Sequence, residues 1–345
     1  MNPTRLNQLL CWFLVVGTFV AGSIGCKDDA TTTATPTVFA ASSTSISVAP
    51  SGTTNATLSG GTAPYSIQTG PDTTIATVSI SGATLNITAT ASGFTSAVVK
   101  DAANSTVRVN ISVTGPIPST VILFPLLSGH NYLYGGYAIN TSANGSTRLP
   151  DPANVYNTSW TLVGPLPGPN PPAGSYLIRD TTRLHIGSSD TTVTKTLVII
   201  RNPSTGSFTF FQTIGPFFRA LGITPTGRTD TVRAITVADP SVGIGGTWTA
   251  LDSNYANAGG STVRLQILGS LEGGEQITDS TSSHTTYDVL RFRTYRNVFV
   301  GSSQVVNNAT TSKLWLAKNV GPVQVLISED TENLGHFRNM KQKNF

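Results

Sequence analysis

The chain has 345 residues, only 11% of them charged, and a formal net charge of +4. An ordinary globular domain is about one quarter charged; here Ser, Thr, Asn and Gly replace charge, as is typical of exported β-rich proteins. The basic residues are scattered apart from Arg338, Lys341 and Lys343, which argues against nucleic-acid binding, and the aliphatic content argues against a disordered chain.

The first 25 residues have the order of an export signal. Arg5 supplies a positive charge, and the apolar run Leu9–Ala21 follows it. This run is shorter than the roughly 20 apolar residues that a transmembrane helix needs, and its length suits the core of a signal peptide. Small residues then lead to Cys26. We predict a signal peptide over residues 1–25, with cleavage directly before Cys26.

The segment Gly22-Ser23-Ile24-Gly25-Cys26 resembles the lipobox of bacterial lipoproteins, although Ser23 stands where leucine is usual. The resemblance implies diacylglyceryl transfer to the Cys26 thiol. Acyl chains bury methylenes at about 0.8 kcal/mol each, so several chains on one cysteine give a stable membrane anchor. The alternatives are an ordinary secretory signal with a coincidental cysteine, and an uncleaved anchor.

The three residues after the predicted lipid site are charged: Lys27, Asp28 and Asp29. They resemble the surface-export signal of Bacteroidota lipoproteins, which implies a lipid-anchored, surface-exposed protein of the outer membrane. The alternative is the solvated start of a linker. A Thr/Ala/Pro run completes a flexible tether over residues 26–37. Cys11 leaves with the signal peptide, so the mature chain is expected to contain no disulfide.

Residues 38–114 alternate apolar and polar side chains between turn signals, the pattern of short half-buried strands. About seven such strands favour an immunoglobulin-like sandwich. Two segments, Ser59–Tyr65 and Val98–Val109, also resemble bacterial Ig-like repeats of surface proteins. Their motifs are turn chemistry, so the resemblance implies a fold rather than an activity.

Residues 115–118, Gly-Pro-Ile-Pro, are predicted to link this sandwich to a larger antiparallel β domain over residues 119–335. Residues 336–345 are interpreted as a basic tail. The predicted fold class is therefore all-β, with an Ig-like β-sandwich followed by a larger β domain. We expect the two parts to fold separately, because the two prolines are unsuited to a continuous sheet.

The larger region resembles a β-rich module found in uncharacterised bacterial lipoproteins. Three segments carry the resemblance: the opening Phe124–Tyr134, the segment Gly245–Trp248, and the closing Lys313–Val323. Tyr132 stands where the module usually has tryptophan, and Asn319 where it has glycine. The resemblance implies a position for the module in the chain and no established activity.

Candidate catalytic and metal-binding residues are few. The four histidines are far apart and lack metal-binding spacing, which favours surface or turn positions over a zinc site: His130, His185, His284 and His336. The four glutamates form two pairs, of which the first is interpreted as a hairpin turn and the second as a solvated strand end: Glu272 with Glu275, and Glu329 with Glu332. No nucleophile elbow or P-loop occurs. We expect no enzyme activity, no cofactor and no metal.

Two further patterns leave alternatives open. Several aromatic residues are expected to fill a β core, although an exposed row would make a carbohydrate platform: Phe208, Phe210, Phe211, Phe217, Phe218, Trp248 and Trp315. Asp-Thr-Thr and similar runs resemble the O-glycosylation acceptor of Bacteroidota, or arise by chance in a Thr-rich chain; they begin at Asp72, Asp180, Asp190, Asp230 and Asp279.

The sequence thus favours a non-enzymatic surface lipoprotein whose Ig-like stalk presents a distal β domain for binding or cell-envelope structure. The expected partners are the membrane, through lipid on Cys26, and a glycan or protein ligand on the distal domain. The alternative is a surface carbohydrate-binding protein or a cryptic glycan hydrolase. An exposed, coplanar aromatic row beside a groove would favour the alternative.

Overall fold

A computed structural model describes residues 37–141, 148–186, 189–215, 218, 225–226, 232–257, 259–327 and 335–344. The predicted lipid site and export signal, Cys26 and Lys27–Asp29, lie outside these residues, so their role stays a prediction. In the described part of the chain, no helix is long and apolar enough to cross a membrane.

The first part of the described chain is a sandwich of two four-stranded sheets. Its strands are β1 (Ala40–Ala41), β2 (Ser45–Val48), β3 (Thr53–Ser59), β4 (Ser66–Thr69), β5 (Ala76–Ser81), β6 (Thr84–Ala89), β7 (Gly93–Lys100) and β8 (Thr106–Val113). One sheet has the order β1-β3-β6-β5, and the other has the order β2-β8-β7-β4 with β2 parallel to β8. The structure therefore confirms the predicted β-sandwich, and its immunoglobulin-like type stays a prediction.

The sandwich core follows from strict alternation along its strands. In β6 every second side chain, Leu85, Ile87 and Ala89, is buried, and the residues between them are more exposed. The facing sheet contributes Val109 and Ile111 from β8 to the same apolar cluster. A period of two residues places one set of side chains inside and leaves the polar set to water.

The two motifs that resemble Ig-like repeats meet at one buried carboxylate. Asp101 is 2% exposed and accepts hydrogen bonds from the Thr62 amide at 2.8 Å and the Ser105 amide at 2.7 Å. Nearby, the Tyr65 hydroxyl donates to the Gly60 carbonyl at 2.7 Å, and its ring stacks on Phe39. These residues fix loops, which agrees with a structural meaning for both motifs.

The second part is built on a sheet in which thirteen strands are described. They are β9 (Asn131–Thr141), β10 (Arg148–Pro165), β11 (Ser175–Ile186), β12 (Ser189–Arg201), β13 (Phe208–Thr213), β14 (Pro225–Thr226), β15 (Val232–Ala238), β16 (Thr247–Asn257), β17 (Thr262–Thr278), β18 (Thr286–Val300), β19 (Ser303–Ala317), β20 (Gly321–Ile327) and β21 (Gly335–Asn344). Their order is β14-β16-β17-β18-β19-β20-β21-β9-β10-β11-β12-β13-β15, and every pair is antiparallel. The predicted larger antiparallel region is confirmed.

The interpretation of residues 336–345 as a basic tail is wrong, because Gly335–Asn344 form the strand β21. This strand pairs with β20 on one side and β9 on the other, and so joins the two halves of the large sheet. Met340 is fully buried, and Arg338 is 4% exposed, paired with Asp180 at 3.3 Å. The basic composition hid the strand, since a buried Arg–Asp pair takes the place of an apolar position.

The opening and closing segments of the lipoprotein-like module contact each other. The Tyr132 hydroxyl donates to the Val320 carbonyl, and the Tyr134 hydroxyl donates to the Pro322 carbonyl, both at 2.9 Å. Gly321 lies between these carbonyls with a φ of 105°, and a Cβ there would lie 2.8 Å from the Tyr132 oxygen. Burial raises the pKa of both tyrosines, so they are neutral donors at physiological pH. The bracketing motifs thus have an architectural role.

The third module segment ties together strands from opposite ends of the sheet. Trp248 on β16 donates its indole N–H to the Thr236 carbonyl on β15 at 2.8 Å. Its ring lies over Gly269, where a Cβ would lie 2.0 Å from the indole. The sheet is therefore curved enough for its ends to meet across the core, and the indole covers part of the free edge of β15.

The prediction of a hairpin turn at Glu272–Glu275 is wrong. These residues lie inside β17, where the register with β18 shifts between Leu271 and Gly273. A bulge adds one residue to a strand, and glycine accommodates the unusual backbone, here a φ of 147° at Gly273. The hairpin lies farther on, between β17 and β18, where Asp279 accepts the amides of Thr281 and Thr285.

The segment predicted as a linker is packed against the large sheet region. The Ile117 amide donates to the Pro240 carbonyl at 3.0 Å, and Ile117 is 2% exposed in the core cluster of the large sheet. A Cβ on Gly243 would lie 2.4 Å from the Gly115 carbonyl oxygen. Residues 37–345 group as one compact unit. The boundary at 115–118, and separate folding on its two sides, stay predictions.

Candidate ligand site at the seam of the sandwich and the large sheet

The seam between the two parts has an apolar centre. Phe94, at the start of β7, is 6% exposed and belongs to the core cluster of the large sheet rather than to that of the sandwich. Its ring lies against Gly274 in β17, where a Cβ would lie 1.9 Å from the ring. The two glycines that follow Glu272 therefore have distinct uses: Gly273 forms the bulge, and Gly274 admits Phe94.

One carboxylate, that of Asp288 on β18, accepts hydrogen bonds from both sides of the seam. The Gln276 amide donates to it at 2.7 Å, the Ser96 hydroxyl at 3.2 Å and the Thr95 hydroxyl at 3.4 Å. Gln276 also donates to Ser96 at 2.7 Å, and Arg108 donates to the same hydroxyl at 3.1 Å. All three donors to Asp288 are neutral side chains.

An ion pair crosses the seam beside this network. The Lys318 ammonium lies 2.7 Å from the Asp72 carboxylate and 2.9 Å from the Thr74 hydroxyl. Burial alone raises the pKa of Asp72, but the hydrogen bonds from Lys318 and Thr74 outweigh it and leave the pKa lowered. Both charged side chains are one-third exposed, so this part of the seam reaches solvent.

Two adjoining cavities lie along the seam. One, of about 210 Å³, is lined mainly by apolar side chains, including Ile75, Phe94 and Leu290. The other, of about 350 Å³, is more polar and includes Asp72 and Asn319. Both are lined by Ile75, Phe94, Asp288 and Lys318. An apolar chamber thus adjoins a charged one at the junction of two sheets, a common position for small-molecule sites.

The predicted histidines and glutamates do not form a metal site in the described residues, where no group of three His, Cys, Asp or Glu side chains could hold an ion. His284 is an exposed turn residue with a φ of 46°. His130 lies before β9, and burial lowers its pKa. His185 and His336 lie in β11 and β21. Glu329 and Glu332 are outside the described residues.

The remaining carboxylate pair is held by cations. Arg291 binds Glu272 at 2.7 Å and Glu275 at 2.8 Å, and Trp315 donates its indole N–H to Glu275 at 2.7 Å. Arg293 lies 3.5 Å from Glu272. Both carboxylates are thus engaged by neighbouring side chains of the sheet, which favours a structural role.

The predicted aromatic residues are mostly structural. Phe208 and Phe218 are 1% exposed and Trp315 is 8% exposed, while Phe210, Phe211 and Trp248 are half-buried. Trp315 meets Phe337 edge to face at 79°, so the two rings form no coplanar platform. Phe217 lies outside the described residues. The interpretation of these residues as core is supported.

The Asp-Thr-Thr runs fall in unlike surroundings. The residues after Asp72 and Asp190 are exposed, whereas Asp279 is 3% exposed, and Asp180 is 7% exposed and bound to Arg338. Asp230 lies outside the described residues. The glycosylation of these runs stays a prediction, and the buried pair at Asp180 marks that run as part of the fold.

Sequence reasoning did not identify the seam. Asp72 and Lys318 are 246 positions apart, and Thr95 and Asp288 are 193 apart. Each stands in an ordinary strand or turn context, so no local motif marks any of them. Phe94, a large aromatic residue beside Gly93, is the residue that could have indicated the seam. The sequence alone places its partner Gly274 in a turn.

No protein-family model matches the chain, and no curated protein matches it. Two solved structures resemble it in part. A provisionally assigned lipoprotein from Parabacteroides distasonis ATCC 8503 is 15% identical with a TM-score of 0.32, covering 65% of this chain and 99% of that one. A provisionally assigned exported protein with a YmcC-like fold from Bacteroides fragilis NCTC 9343 is 12% identical with a TM-score of 0.33, covering 65% and 100%.

Proposed function

We propose that this chain is a non-enzymatic lipoprotein of the bacterial outer membrane, anchored by lipid on Cys26 and exposed on the cell surface through the Lys27-Asp28-Asp29 signal. The observation that carries the proposal is the order of charge, apolar run, small residues and cysteine at the N-terminus. Its role is to present the large sheet for binding or for cell-envelope structure.

The packing at the seam supports a display role. Phe94 lies in the core of the large sheet, and the Asp72–Lys318 pair crosses the seam. Contacts of this kind hold the sandwich and the large sheet in one orientation. The sandwich then acts as a rigid spacer rather than as a flexibly tethered domain. The cation-bound Glu272 and Glu275 support a role without hydrolysis.

Replacement of the lipid site tests the anchor. Cys26→Ser removes the thiol that accepts diacylglycerol, so we expect the variant to lose radiolabelled-palmitate uptake and to leave the membrane fraction. Cys11→Ser is the matched control, because this second cysteine lies in the apolar signal segment. Equal palmitate uptake and equal membrane retention by the Cys26 variant would contradict the proposal.

A further inference from the structure

We propose that the seam binds a small amphipathic ligand that carries an amine, with the ammonium on Asp288 and the apolar body in the chamber beside Phe94. The inference does not depend on the lipid anchor. Three features carry it: a carboxylate with no cationic partner among the described residues, an adjoining apolar chamber, and a polar side open to solvent.

The charge balance selects a cationic group. Asp72, Asp288 and Lys318 line the more polar cavity, and Asp72 and Lys318 neutralise each other at 2.7 Å. Among the described residues that line this cavity, the remaining acidic side chain is Asp288, which accepts hydrogen bonds from one amide and two hydroxyls. The nearest guanidinium contact in this network, from Arg108, goes to the Ser96 hydroxyl. A hydrogen bond from a charged donor to a carboxylate is about twice as strong as one from a neutral donor. An ammonium group would therefore bind Asp288 more strongly than its neutral donors do.

The adjoining chamber sets the body of the ligand. Its volume of about 210 Å³ exceeds the roughly 150 Å³ of an engineered apolar cavity that binds benzene. Val121, Leu123, Leu290 and Leu316 line it together with Phe94. A compact apolar group, such as one phenyl ring with a short alkyl chain, has a size that fits this volume. The class is therefore an arylalkyl amine or an amine of similar size, including the end of a larger molecule.

A series of three probes tests the assignment on the wild-type site. The protein is the full mature chain carrying Cys26→Ser, which keeps every folded residue and avoids detergent. Phenethylamine, 2-phenylethanol and 3-phenylpropanoate are titrated separately, and binding is followed by amide chemical shifts in NMR spectra. We expect phenethylamine to bind at least tenfold more tightly than the alcohol, and the carboxylate to bind least.

Asp288→Asn identifies the group responsible. It keeps the size and the hydrogen-bond acceptor but removes the charge, so we expect the amine to fall to the affinity of the alcohol. Asp252→Asn is the control, since Asp252 is a carboxylate on the distant strand β16 and is bound to Arg264. Amine and alcohol of equal affinity in the wild type would overturn the proposal, as would full amine preference in Asp288→Asn; Asp288 would then only join the two sheets. If Asp288→Asn fails to fold, the wild-type series alone decides.

Discussion

Single polar residues fix the loops of the sandwich, and Asp101 shows how. Asp101 is 2% exposed, and its carboxylate accepts hydrogen bonds from the backbone amides of Thr62 and Ser105. These two residues lie in loops that are far apart in the chain. A hydrogen bond of this kind contributes about 1 kcal/mol to stability. One aspartate therefore decides whether both loops keep their native conformation.

Asp101→Ala is expected to lower the free energy of unfolding by about 2 kcal/mol, because two part-buried loop hydrogen bonds are lost at about 1 kcal/mol each. Asp101→Asn should lose less, since its amide oxygen replaces one acceptor. Urea unfolding followed by circular dichroism measures both. Asp190→Ala, which removes an exposed pair with Arg183, should change stability by less than about 1 kcal/mol. Equal small losses for Asp101→Ala and Asp190→Ala would contradict this role.

At the scale of the strand, β17 combines a regular pattern with a local exception. Val263, Leu265 and Ile267 alternate inward, as the sequence predicted. At Gly273 the bulge interrupts the alternation, and at Gly274 the backbone meets Phe94. From the sequence alone, a glycine pair inside a strand predicts a turn, because Phe94, which contacts Gly274, lies in a different part of the chain.

Gly274→Ala should lower the free energy of unfolding by about 2 kcal/mol, since the new methyl group overlaps the Phe94 ring. In the Phe94→Ala background the same substitution should cost much less, because the overlapping atoms are gone. Gly259→Ala is the control: a Cβ there meets nothing within 4 Å. A double-mutant cycle by urea unfolding measures the coupling, and strictly additive losses would argue against the Phe94–Gly274 contact.

Prediction of the elements succeeded where alternation was local and failed where a strand depends on distant partners. The strands of the sandwich follow from their own sequence, as β6 shows with Leu85 and Ile87. The strand β21 does not, since Arg338 is made acceptable inside by Asp180, on β11. Prediction of the seam fails for the same reason, because its paired charges, Asp72 and Lys318, come from segments more than 200 positions apart.

At the scale of the molecule, the seam determines whether the sandwich and the large sheet behave as one body. Its apolar contact is insensitive to pH, whereas the Asp72–Lys318 pair is not. Because the folded-state pKa of Asp72 is lowered, its pairing stabilises the folded state at neutral pH. That contribution is lost as the pH falls below about 4 and the carboxylate becomes protonated.

Lys318→Met should therefore destabilise the protein at pH 7 by up to about 1 kcal/mol, a modest loss because both partners are one-third exposed. The difference from wild type should be smaller at pH 3 than at pH 7, because protonation of Asp72 begins to remove the pair below about pH 4. Thermal unfolding at the two pH values measures it. Lys100→Met removes a lysine whose described partner is the Asn104 amide oxygen, and serves as the control. A loss that is equal at both pH values would show that Lys318 acts through packing.

The proposed surface location depends on lipid anchoring at Cys26, which the mass of the N-terminal peptide measures. The mature protein, extracted from membranes and digested, should yield a first peptide that begins at Cys26 and carries the mass of a diacylglyceryl group, with or without a further acyl chain. A first peptide that begins elsewhere, or that begins at Cys26 with a free thiol, would rule out this anchor.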